Sequence, residues 1–142
     1  MHDILIQQIK DEVTRLGVTE LRTPEEVDET LKDRKGTALV FINSVCGCAG
    51  GVARPALKLA LNHTIKPDII TTVFASGDRE ATARVREYFT DMPPSSPSFA
   101  LLRDGKLVHM IHRSDIEVSD PHSLANMLVN VFNKHCSITS KN

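Results

Sequence analysis

No run of apolar residues in this 142-residue sequence is long enough to cross a bilayer, so a helical membrane span is not expected. There are no internal repeats, and low complexity is confined to a short Pro/Ser patch at 93–97. There is no excess charge of either sign: 17 Lys and Arg stand against 18 Asp and Glu, a net charge of −1. Composition therefore supplies no broad basic surface, which argues against nucleic-acid binding. The opening Met1-His2-Asp3-Ile4 lacks a basic region leading into a signal-like apolar core, so a cytoplasmic location is expected. Cysteine is scarce, with three in the chain. In a reducing compartment a close cysteine pair points to catalysis or metal capture before structural cross-linking. The length suits one domain with a substantial core, 1–142, divided into N-terminal helices at 1–35 and a core at 36–136.

Two of the three cysteines form Cys46-Gly47-Cys48. The preceding apolar run, Ala38-Leu39-Val40-Phe41-Ile42, predicts a buried strand, and a helix is expected over 52–61. Gly47, Gly50 and Gly51 place a tight turn between them. A thiol at this junction meets backbone N–H groups and a helix dipole, both of which favour thiolate. Residues two apart in an extended chain are separated by about 6.6–7 Å, at the limit for a disulfide. A bend at Gly47 is therefore expected, and the small ring that results would be easily reduced. This is the pattern of a working redox pair. No Asp or Glu occurs between Arg34 and Pro67, whereas Arg34, Lys35, Arg54, Lys58 and Lys66 all do. That local positive charge is expected to lower a thiol pKa and attract an anionic thiol, with Arg54 the nearest cation.

Ile4, Ile9, Val13 and Leu16 predict an amphipathic helix ending at Gly17. Thr23, Pro24 and Glu26 open a second helix, with a capping box, that runs to about Asp33. Pro55 is expected in the first turns of the helix after the cysteines, or at a kink. After the turn Lys66-Pro67-Asp68, a strand is predicted at 69–75. A helix capped by Asp78 follows, with Ala81, Val85 and Phe89 on one face and a Glu80–Arg84 pair. Strands at 98–103 and 106–111 flank the hairpin signal Asp104-Gly105. Asp120 and Pro121 start a last helix that turns Leu124, Leu128, Val131 and Phe132 inward. A βαβ unit followed by a hairpin and a helix resembles a thioredoxin-like domain, an α/β fold whose central mixed sheet is flanked by helices, here with an N-terminal helical extension. The cysteine turn would then lie at the carboxyl end of the first core strand.

Asn43-Ser44-Val45-Cys46-Gly47-Cys48-Ala49-Gly50-Gly51 with Ala53-Arg54-Pro55 resembles the bacilliredoxin family. So do Thr72-Val73-Phe74-Ala75, Arg86-Glu87-Tyr88-Phe89, Pro94-Ser95-Ser96-Pro97-Ser98 and His135-Cys136, and together these segments cover nearly the whole chain. The resemblance implies thiol–disulfide exchange with bacillithiol, a small thiol bearing carboxylates. It implies S-bacillithiolated proteins as clients, bacillithiol as co-substrate, no bound cofactor and weak disulfide isomerase activity. Mapped onto matching positions, Cys46 is the nucleophile and Cys48 the resolving thiol. Pro97 is the cis proline that such domains place beside the reactive turn. Asn43 and Ser44 either hydrogen-bond near the thiolate or end the strand.

Two other readings stay open. One is a general disulfide isomerase or reductase without preference for bacillithiol. The other is a soft-metal module in which Cys46 and Cys48 gain a third ligand from Cys136 or His135. A closed zinc site wants four ligands, and the spacing supplies one tight pair. Cys136 itself reads as a packed thiol near a helix end or as an alternative resolver. His63, His109 and His112 read as surface or structural residues, and Tyr88 and Phe89 as core.

Overall fold

All seven residues of strand β2 (Thr37–Asn43) are buried, and their side chains alternate between two apolar layers. Leu39 and Phe41 join Val13, Leu57, Phe99, Leu128 and Phe132 on one face of the sheet. Ala38, Val40 and Ile42 join Val27, Leu31, Val85 and Leu102 on the other. A strand covered on both faces needs no polar side, which is why β2 reads as a continuous apolar run. The computed structural model describes residues 2–89 and 92–136; residues 137–142, the end of the single-domain reading, lie outside the described residues.

In chain order the elements are α1 (His2–Thr14), β1 (Thr19–Glu20), α2 (Pro24–Leu31), β2, a π-helical turn (Ala49–Ala53) and α3 (Arg54–Ala60). They continue with β3 (Ile69–Phe74), α4 (Arg79–Arg86), β4 (Ser98–Arg103), β5 (Lys106–Ile111), α5 (Arg113–Glu117) and α6 (Pro121–His135). The sheet order is β1-β3-β2-β4-β5. β1, β3 and β2 run parallel, while β4 is antiparallel to both β2 and β5. The helices α2 and α4 pack together on one face, and α3 and α6 on the other. Phe41 and Phe99 stack across the β2–β4 pair with ring centroids 4.6 Å apart.

Local chemistry sets the boundaries. Asp104 and Gly105 both take positive φ, 52° and 81°, the geometry that closes a two-residue hairpin, and they fix β4 and β5 where the sequence places them. Thr23 caps α2 by accepting from the Glu26 N–H, but the Glu26 carboxylate reaches back to the Arg22 N–H, one residue before the expected box partner. The helix ends at Leu31, short of the expected Asp33, which takes a left-handed φ of 55°. Asp78 heads α4 without capping it through its side chain, because its carboxylate accepts from Lys10 Nζ at 2.8 Å. The expected Glu80–Arg84 pair is replaced by Arg84 bridging Asp28 and Glu87, a link between α2 and α4. On α6 the buried face is Leu124, Ala125, Leu128 and Phe132, with Val131 half-buried at its edge. Tyr88 is likewise half-buried and donates to Asp28, while Phe89 is in the core.

Candidate active site

The carboxyl end of β2 delivers Asn43 and Ser44 into a buried polar knot. Asn43 Oδ1 accepts from the Ser44 N–H and from Arg54 Nη1, both at 2.9 Å. The same Nη1 donates to the Ser44 carbonyl at 2.9 Å, and Arg54 Nε donates to Glu12 of α1 at 3.0 Å. Arg54 is buried, and its fork ties three segments together at the base of the cysteine turn. Gly50 is needed beside it: a Cβ there would stand 2.8 Å from Arg54 Nη2. Above the knot, the Ser44 hydroxyl donates to Cys46 Sγ at 3.2 Å. The Val45 N–H donates to Ser76 Oγ in the loop after β3, which fixes the turn to the neighbouring strand.

Cys46 immediately precedes the helical backbone that starts at Gly47. Cys48 is already helical and half-buried against the apolar layer of α3 and α6. Gly47 lies in open space with a φ outside the left-handed region, so the chain turns here without using glycine's special freedom. Helix starts earlier than the predicted 52–61, and it starts wide. The Arg54 N–H reaches the Ala49 carbonyl, and the π-helical turn ends just before Pro55, whose ring and missing N–H a regular helix interior does not accommodate.

Partial burial pushes the Cys46 thiol up. The Ser44 hydroxyl, the N–H groups of Ala49 and Cys48, and the Arg113 guanidinium outweigh it, and the thiol lies below its ordinary value of 9.0. The helix-start reading of the sequence thus finds its donors. The cation differs from the one expected. Arg54 is occupied by Glu12, Asn43 and Ser44. Arg34 and Lys35 precede β2, and Lys66 precedes β3, all at the far end of the sheet from the thiols. Arg113 was not singled out by sequence. It opens the five-residue α5, too short for a hydrophobic period to announce, and α5 packs on the π-helical turn.

The Ser96–Pro97 bond is cis and Pro97 is buried. Ser98 pairs with Ile42, so Pro97 falls beside Asn43, at the level where β2 releases the cysteine turn. Arg113 holds this loop too: Nη1 donates to the Ser96 carbonyl at 3.1 Å, and its backbone N–H donates to Ser95 Oγ at 3.4 Å.

Cys136 is not brought to the pair. It lies by Thr37, Asp68 and Arg103, at the opposite end of β2, and burial pushes its thiol up. His135 is there as well, its carbonyl accepting from Arg103. The soft-metal arrangement with Cys136 or His135 as third ligand is therefore not assembled. Among the described residues no three His, Cys, Asp or Glu side chains gather in metal-binding geometry. His63 bonds Asn133 at the surface, and His112 heads α5.

A protein-family profile described as disulphide isomerase matches residues 1–136. A bacilliredoxin of Geobacillus kaustophilus is 52% identical over 136 residues, 96% of this chain and 93% of that one. A bacilliredoxin of Staphylococcus aureus is 52% identical over 132 residues, 93% of this chain and 90% of that one. The fold is similar to Fasciola hepatica thioredoxin, with a TM-score of 0.59 at 19% identity, covering 83% of this chain and 99% of that one. It is also similar to the oxidized form of mitochondrial thioredoxin 3 of Saccharomyces cerevisiae, with a TM-score of 0.56 at 16% identity, covering 84% and 98%. With a thioredoxin-like fold, a cysteine pair at the turn after β2 and relatives this similar along nearly its whole length, the chain belongs to the bacilliredoxin family of thiol–disulfide oxidoreductases.

Proposed function

We propose that the chain removes bacillithiol from S-bacillithiolated proteins, with Cys46 as nucleophile and Cys48 as resolving thiol. The observation that carries the reading is the setting of Cys46: a thiol held by Ser44, at a helix start, in a chain whose relatives are named bacilliredoxins. The Cys46 thiolate attacks the bacillithiol sulfur of the mixed disulfide. The bond between that sulfur and the client sulfur breaks, and the client leaves with the electron pair and takes up a proton. Cys46 now carries bacillithiol. The Cys48 thiolate then attacks Cys46 Sγ, bacillithiol departs as a thiolate, and a Cys46–Cys48 disulfide remains. Two electrons from an external thiol restore the pair. Alternatively, a second bacillithiol attacks the adduct, leaving Cys46 reduced and bacillithiol disulfide as product. Proximity favours the first route and ring strain opposes it.

The setting is the cytoplasm, where bacillithiol is the co-substrate and no bound cofactor is required. A disulfide isomerase activity is a second reading, favoured by the family description and by Val45, whose exposed side chain beside Cys46 offers apolar contact to an unfolded client. Mass spectrometry of a Cys48→Ser variant mixed with a bacillithiolated protein tests the proposal, with a glutathionylated protein as control. Release of the client with a bacillithiol adduct on Cys46 is the expected result. No adduct from either client would refute the exchange chemistry, and equal transfer from both would refute the preference.

A further inference from the structure

We propose that Arg113 and the groove beside it form a carboxylate subsite that seats the small-thiol half of the mixed disulfide. The inference rests on the exchange chemistry proposed above and adds to it a residue and a place. The groove measures about 470 Å³ and is lined by Pro93, Ser95, His112, Arg113, Ser114 and Glu117. It lies along the loop that carries cis-Pro97, and α5, which forms its other wall, packs on the π-helical turn that follows the cysteines. Its lining residue Arg113 ties it to the cysteines, and its volume suits a substituent of several heavy atoms.

Charge makes the groove selective. Arg54 is spent on internal acceptors, and Arg86 is half-buried with Nη2 directed to the Ser95 carbonyl at 3.4 Å. Arg113 is close enough for its charge to act on both Cys46 and Cys48. Its Nε is held by Glu117 at 2.9 Å and its Nη1 by the Ser96 carbonyl. Among the described residues Nη2 has no hydrogen-bond partner. The guanidinium is thus fixed in orientation by two contacts while Nη2 stays free for an incoming anion. A carboxylate on the small thiol can take Nη2 in a charge-assisted hydrogen bond. Glu117 competes for the same cation and moderates the attraction.

The test compares Cys48→Ser protein with the same protein carrying Arg113→Gln or Glu117→Gln. One neutral peptide thiol is supplied as its mixed disulfide with mercaptosuccinate or with mercaptoethanol, and adduct formation on Cys46 is timed by mass spectrometry. A second pair of substrates, an acidic and a neutral peptide both bearing mercaptoethanol, separates a carboxylate on the small thiol from one on the client. The mercaptosuccinate-to-mercaptoethanol rate ratio cancels any general change in Cys46 reactivity. Arg113→Gln is expected to lower that ratio about fivefold, a charge-assisted hydrogen bond discounted for exposure, and Glu117→Gln to raise it. An unchanged ratio in both variants, with transfer intact, overturns the subsite and leaves the exchange reading standing. A response confined to the acidic peptide also overturns it and assigns Arg113 to the client. No transfer from any substrate refutes the exchange reading and the subsite with it.

Discussion

Replacing Ser44 by alanine removes the hydroxyl that donates to Cys46 Sγ at 3.2 Å and leaves the Cys48 and Ala49 N–H groups and Arg113 in place. A hydrogen bond to a charged acceptor contributes about 1.5–3 kcal/mol, and half-exposure of the thiol lets water recover part of it. A net loss of about 1.4 kcal/mol shifts the thiol–thiolate balance about tenfold toward thiol. Rate does not follow population alone. Thiolate nucleophilicity rises with basicity with a slope of about 0.4–0.5, which returns roughly threefold of that tenfold. The variant should therefore exchange about threefold more slowly at pH values where both proteins are mainly thiol. Where both are fully ionised it should be about threefold faster, so the two pH–rate profiles cross. The assay is exchange with a neutral aromatic disulfide, such as dithiodipyridine, across pH 5 to 10, in a background lacking Cys48 and Cys136. Profiles that coincide, or that stay parallel without crossing, would refute the assignment of Ser44 as a donor to the thiolate.

Gly50→Ala should press a methyl against Arg54 Nη2, a side-chain end that cannot swing away without releasing Asn43, Ser44 or Glu12. Overpacking of this kind costs about 1–3 kcal/mol and outweighs the helix gain of alanine, so calorimetry should show Tm lowered by roughly 2–8 °C. Cys136→Ser should leave the rate of exchange at Cys46 unchanged in stopped-flow measurements, because Cys136 sits by Thr37 at the other end of β2. In the wild-type chain, differential alkylation at neutral pH should mark Cys46 before Cys136, whose thiol burial pushes up. The Cys46 thiol is lowered in the folded state, so between its folded value and about 9.0 the unfolded chain binds more protons. The Cys46 contribution to the stability of the reduced protein should grow as pH rises through that window and vanish below it. Urea titrations of wild type and Cys46→Ser at pH 5.5 and 8.5 measure it as the change in their difference, and a difference that does not change would refute the sign.

Much of the scaffold was legible because its signals are local. The apolar run of β2, the Asp104-Gly105 turn and the Asp120-Pro121 helix start each carry their instruction within a few residues, and each element formed where the pattern put it. Two kinds of miss have a cause beyond local sequence. β1 and α5 hold two and five residues, too few to show a period, and they exist through what they pack against. Charge is the other kind. The stretch from Arg34 to Pro67 contains no acid, yet Glu12 reaches into it from α1 and takes Arg54. Arg84 likewise prefers Asp28, across an interface, to Glu80 on its own helix. Electrostatics follows distance through the fold, and a count along the chain sees only half of each pair.

The two arginines show what this division achieves. Arg54 meets a carboxylate that is half-exposed, and its Nη1 donates to a side-chain amide and a backbone carbonyl. Its contribution is geometric: it fixes the Asn43–Ser44 segment from which the Ser44 hydroxyl is aimed at sulfur. Arg113 has the opposite character. Its partner Glu117 is as exposed as itself, and its fork rests on a loop carbonyl at the rim. A cation in that position stabilises a thiolate at modest desolvation cost and stays within reach of an incoming anion. The buried arginine fixes the backbone that presents Cys46, and the rim arginine adds its charge, after the Ser44 hydroxyl and the two N–H groups, to what favours the thiolate. Arg54→Lys should consequently lower stability while leaving selectivity for carboxylated thiols in place, whereas Arg113→Gln should do the reverse. A variant set in which both properties fall together at either position would show that the two roles are not separate.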